Sequence, residues 1–284
     1  MHAIRESKTM KLEEVFEQTH KLPTIPKVVQ ELIDSFSKDD IDIETIAKKI
    51  ALDQVITAKV LRLANSAHFG ASRQIASVNE AVVVLGFNTV RTLVVASGVT
   101  GAFITTPGFD RKRFWKHSLR VATLAKWLSK HAKYNGEIAF TTGMIHSIGE
   151  MLIHIVAPEL AAKIDQYVDN GAADRVALET NNIGFDYVMV GEELARRWNF
   201  PVEIQMAVKY QNTPDDQQPA SKLSHILYLA LHLTKNEESC VDTKALAASL
   251  PASSLDVLAL DTDALGVHLA EIKDLASGME EMIG

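Results

Sequence analysis

One cysteine, Cys240, stands in the whole chain. It excludes an intrachain disulfide and any zinc knuckle built on several thiolates. No stretch alternates polar and apolar residues at period two, so strands are not expected. No apolar run approaches the roughly 18 residues of a membrane span. The opening MHAIRESKTMKLEEVFEQ is charged and lacks the apolar core of a signal peptide. A cytoplasmic, bacterial-style protein is therefore expected, with no membrane partner. A basic surplus is missing too: the net charge is −7, whereas nucleic-acid binders cluster Lys and Arg against phosphates. The short runs Arg111-Lys112-Arg113 and Arg196-Arg197 read as solvated helix faces. Nor is there a glycine-rich phosphate loop, a nucleophile elbow, an H-E-x-x-H helix or an internal repeat.

What is present is helix. The 284 residues suffice for one large or two smaller domains. A first short helix spans 9–20. Two prolines in LPTIP fix an extended turn and start a helix over 26–36. Asp42 and Asp53 cap the next two helices. Ser77 with Glu80 forms a capping box, Gly86 stops that helix, and Asn88 caps one over 89–103. TTPG at 105–108 breaks the chain and marks a subdomain boundary. Asp110 caps a long helix over 111–132, on which His117 faces inward with Val121, Leu124 and Leu128. A continuous apolar helix over 137–156 follows, then one from Pro158 to about 170, a short one near 174–181, and Asp186 capping 187–198. After a polar linker at 212–219, a helix over 220–234 and two or three more complete the chain. The expected division is 1–21, then 22–213 with lobes 22–105 and 106–213, then 214–284.

Histidine is the remaining chemistry. His117 and His146 lie on apolar faces of adjacent helices, which short turns pack antiparallel. They could meet as part of a metal site, or as a buried hydrogen-bonded pair. Two imidazoles alone hold a divalent ion poorly, because hydrolytic metals want three or more N or O ligands, usually with a carboxylate. Glu150, four residues after His146, could reach the same ion or serve as a surface charge or salt-bridge partner. His68, His131, His154, His225 and His232 show no carboxylate at ligand spacing.

Several ordered stretches resemble the HDOD domain, a relative of HD-type metal-dependent phosphohydrolases found in bacterial signalling proteins. They are LPTIPKVVQEL, LRLANSAHFGASRQIASVNEAVVVLGFNTVRTLVV with Asn65, Ser66, Phe69 and Gly70, FWKHSLRVATLAKWL, GMIHSIGEMLI, and IGFDYVMVGEELARRWNFPVEIQMAVKYQN. The resemblance implies an all-α fold: an N-terminal helical cluster packed on an HD-like helical core. It aligns His117 and His146 with two metal-binding histidines, but Ser147 stands where the paired aspartate would be and Leu231 where the last aspartate would be. Tyr210-Gln211 occupies the usual paired-histidine position, and Gln54 departs from a common Asp-Pro.

Losing two carboxylates removes charge and donors that serine and leucine cannot supply. No catalytic metal or other cofactor is expected, and no catalytic residue is assigned; His117 and His146 are vestigial positions. The expected function is a non-enzymatic signalling module working through protein contacts or small-ligand sensing. Its partner would be a kinase, a response regulator or a nucleotide-turnover enzyme. Alternatives are a phosphohydrolase with an altered metal site and a nucleic-acid-binding regulator.

Overall fold

In the computed structural model, residues 11–17, 22–38, 41–66, 74–103, 108–169, 174–236 and 243–269 are described, and they contain helices and no strand. The first six helices are α1 (Leu12–Glu17), α2 (Lys27–Asp34), α3 (Ile43–Leu52), α4 (Gln54–Ala64), α5 (Val78–Leu85) and α6 (Phe87–Ala102). The caps read from the sequence are in place: Asp42, Asp53 and Ser77 each accept from backbone N–H groups of the turn they start. Asn88 does not cap α6. That helix begins at Phe87, and the Asn88 amide oxygen accepts instead from the Arg91 guanidinium. Arg91 is buried; it also donates to the Ser35 carbonyl and lies over the Phe36 ring, 4.0 Å from its centroid. These bonds take up the terminal nitrogens and offset most of the cost of burying the charge, while Nε has no protein partner.

Helix α6 is buried along almost its whole length. It packs on α2, α4 and α5 and also on α8, so one hydrophobic core runs from Val15 to Leu269. Beyond it come α7 (Arg111–His131), α8 (Gly136–Ile145), α9 (Ile148–Val156), α10 (Pro158–Asp169), α11 (Arg175–Ile183), α12 (Tyr187–Arg197) and α13 (Val202–Lys209). Helix α14 (Lys222–Asn236) rests on α7, α8 and α13, and its buried residues belong to the same hydrophobic core. Three short helices follow: α15 (Thr243–Ala248), α16 (Ala252–Leu258) and α17 (Thr262–His268).

The expected continuous helix over 137–156 is two helices, turning at His146 and Ser147. Two close approaches account for the turn. A Cβ at Gly143 would fall 2.4 Å from the Ala122 Cα, and one at Gly149 would fall 2.0 Å from the Tyr187 carbonyl oxygen. Glycine thus presses α8 onto α7 and α9 onto α12, and the chain turns between the two dockings. Gly136–Val156 as a whole is long and apolar enough to pass for a membrane span, contrary to the sequence reading, but 83% of its most apolar window is buried in the fold.

Candidate functional site

The turn at His146–Ser147 opens onto a cleft of about 300 Å3. Helices α7, α9, α10 and α11 line it, with Arg113, His117, Ser147, Glu150, Asp165 and Arg175 among the contributing side chains. The structure brings the two sequence-selected histidines together, with ring centroids 5.8 Å apart. Their surroundings differ. His146 is buried and its Nδ1 donates to the Gly143 carbonyl at 2.7 Å, which leaves Nε2 as the acceptor. Burial, with His117 alongside, lowers its pKa to about 3, so it is neutral. His117 does not face inward with Val121 and Leu128 as the helical spacing predicted. It keeps solvent access on the cleft wall, while the protein atoms around its ring, and then Arg113, lower its pKa.

Ser147, next to His146 in the chain, lines the cleft with His117. It is 2% exposed, and its Oγ makes no hydrogen bond within the protein. Buried hydroxyls are normally satisfied. The carbonyl of His146, left over by the broken helix, is taken by Gln211, whose Nε2 donates to it at 2.9 Å. Gln211 is fully buried and braces the turn from the end of α13.

The rest of the cleft is charged. Arg175 donates through Nη2 to Asp165 and through Nη1 to Glu179 at 3.1 Å. Its Nε lies 3.6 Å from Glu150 Oε2, an ion-pair distance too long for a hydrogen bond. Glu179 is fully buried and also accepts from the Tyr187 N–H at 2.6 Å. Desolvation raises the Glu179 pKa to about 8, against the pull of Arg175. Burial likewise raises Glu150. His154, for which the sequence offered no carboxylate, has its Nε2 3.0 Å from Asp165 Oδ2, close but bent away from an aligned hydrogen bond. At the rim, Arg113 pairs with Asp169 through both terminal nitrogens, at 3.2 and 2.9 Å.

This donor set does not fit a divalent metal. It offers two neutral imidazoles and a hydroxyl, while Asp165, Asp169 and Glu179 are taken up by the guanidinium groups of Arg175 and Arg113. Among the described residues, no group of three or more His, Cys, Asp or Glu side chains converges as ligands would. Leu231 is not among the residues lining the cleft; it is half-buried and packs on the core. His225 and His232 make their bonds elsewhere: His225 Nδ1 pairs with Ser254 Oγ at 3.0 Å, and His232 Nε2 with Ser249 Oγ at 3.1 Å.

Residues 22–214 match the HDOD domain. The chain belongs to the HDOD family. Among solved structures, it is similar to a candidate phosphohydrolase of Shewanella amazonensis SB2B, 33% identical with a TM-score of 0.80, covering 95% of this chain and 98% of that one. An HDOD domain protein of unknown function from Geobacter sulfurreducens shares the fold at 23% identity and a TM-score of 0.76, covering 94% and 97%. A candidate signal transduction protein of Marinobacter aquaeolei VT8 does so at 22% and 0.79, covering 99% of this chain and 62% of that one. A curated relative in Treponema pallidum (strain Nichols), an uncharacterized protein, is 24% identical over 204 residues; these make up 70% of this chain and 40% of that protein.

The HDOD motif residues that are described do structural work. Asn65 ends α4 and clasps Ile75 from both sides. Its amide donates to the Leu61 and Ile75 carbonyls at 2.7 and 2.8 Å and accepts from the Ile75 N–H at 2.7 Å. Ser66 beside it is buried. Phe69 and Gly70, like His68, lie outside the described residues. A hollow of about 600 Å3, larger than the cleft, opens beside the clasp, but Arg62 is the one ionisable group among its described lining residues. The sequence reading missed Asp165, Arg175 and Glu179, and it named Gln211 only as standing in the paired-histidine position, not as a brace of the turn. Only the Arg175–Glu179 spacing of four residues on one helix was available as a signal; the partners from α9, α10 and α13 are brought in by tertiary packing.

Proposed function

We propose that this HDOD chain is a regulatory, non-enzymatic module of signal transduction, acting through protein contacts or through a small ligand held in the cleft. One observation carries the reading: His117 and His146 lie with ring centroids 5.8 Å apart, and the residue that follows His146 and lines the cleft is Ser147, not a carboxylate. A hydroxyl supplies neither the charge nor the basicity that a hydrolytic metal or its bound water needs. Membership of the HDOD family supports the signalling context. The partner would be a kinase, a response regulator or a nucleotide-turnover enzyme.

The second reading is a metal-dependent phosphohydrolase with an altered site, favoured by the name of the 33% identical Shewanella relative. Elemental analysis of protein purified without chelator separates the two. The regulatory reading expects substoichiometric transition metal, the same in wild type and His117→Ala, and no turnover of phosphodiester substrates with added Mn2+. Stoichiometric metal lost in His117→Ala, with turnover, establishes the second reading instead.

A further inference from the structure

The cleft's charges are unevenly matched. Its lining carries four carboxylates, Asp110, Glu150, Asp165 and Asp169, against two guanidinium groups, Arg113 and Arg175. Asp169 takes Arg113 through both terminal nitrogens, and Asp110 caps α7 by accepting from the Arg113 N–H. The terminal nitrogens of Arg175 go to Asp165 and Glu179. Glu150 is left with Nε alone, at 3.6 Å. It is the under-compensated carboxylate of the wall. One turn before it on α9, the buried Ser147 Oγ has no partner in the protein and borders the same space. Phe109 and Phe114, with ring centroids 5.4 Å apart, line the cleft as well.

We propose that the cleft binds a small organic ammonium ion, with Glu150 as its counter-ion, Ser147 Oγ as a hydrogen-bond acceptor and Phe109 and Phe114 as the apolar wall. An ammonium supplies N–H donors to both oxygens, and aromatic rings favour a cation beside them. An anion finds no free guanidinium there and meets Glu150 instead. A burial-raised carboxylate such as Glu150 also gains most from a cation delivered to it. The ligand class refines the sensing reading above and rests on it; metal content and turnover test that reading independently, so the two can fail separately.

The experiment is calorimetric titration of the full chain with benzylammonium chloride, benzyl alcohol and sodium benzoate at neutral pH. Saturable binding is expected for benzylammonium alone. Glu150→Gln keeps the size of the side chain and removes its charge, and is expected to weaken binding by about tenfold or more. Ser147→Ala is expected to weaken it several-fold, and stands in if the glutamine variant does not fold. No binding of benzylammonium to the wild type, equal binding of the alcohol or the benzoate, or wild-type affinity in both variants overturns the proposal.

Discussion

Two polar residues at helix ends, Asn65 and Ser147, make opposite use of their side chains. Asn65 is exposed, yet both its donors and its oxygen are engaged, fastening the end of α4 to Ile75. Ser147 is buried, yet its hydroxyl touches no partner at the turn between α8 and α9. A polar residue that holds the backbone is accounted for by the fold. A buried hydroxyl without a protein partner costs stability; Ser66, Thr92, Ser97 and Ser118 share that state, and Ser147 differs from them in lining the cleft. The cleft holds the same contrast: Arg175 is shared among three carboxylates, while the Ser147 hydroxyl has no partner.

Breaking the satisfied side has the largest effect. Arg175→Met leaves Glu179 and Asp165 without their cation, and removing one member of a buried ionic cluster costs about 3–5 kcal/mol. Urea unfolding measures it; a loss under about 1 kcal/mol shows that water already screens the cluster. Asn65→Ala comes next. Three hydrogen bonds are lost, but at a site that water partly reaches, so about 1–2 kcal/mol is expected in the same measurement. Hydrogen exchange at the Ile75 amide gives a local check: it accelerates in the variant if the clasp is what protects it.

The fold was legible where local chemistry decides it. Asp42, Asp53, Ser77, Asp110 and Asp186 each cap the helix they were expected to cap. The break at His146–Ser147 was not legible, because apolar periodicity continues through it; it falls between the close approaches of Gly143 to α7 and Gly149 to α12, which only the tertiary fold brings about. The candidate site divides in the same way. The facing of His117 and His146 followed from two adjacent antiparallel helices, whereas the charged wall assembles residues from α9, α10 and α11 with no shared motif. His154 and Asp165 are eleven positions apart, across the junction of α9 and α10, a spacing that marks no ligand pair in sequence.

The charged wall should also show itself in pH. Glu179 has its pKa raised from 4.5 to about 8, so the folded state holds a proton that the unfolded state releases. The stability this contributes is complete below pH 4.5 and is lost as pH rises through 8. Unfolding free energy should therefore fall between pH 5 and 8 in the wild type, and the fall should be shallower in Glu179→Gln, which cannot titrate. Identical slopes would mean that Arg175 keeps Glu179 ionised throughout.

The smallest effect is the one that bears hardest on the contrast. Ser147→Ala removes a buried hydroxyl with no partner, so there is no hydrogen bond to lose and a desolvation cost to relieve. Stability should stay within about 1 kcal/mol of the wild type, on the favourable side, while Asn65→Ala under the same conditions loses more. If instead Ser147→Ala destabilises as much as Asn65→Ala, the hydroxyl is a structural anchor like the amide, and the difference between the two helix ends disappears. If it is neutral to folding and still weakens the binding of an ammonium ligand, the serine is held in the cleft for what it can accept.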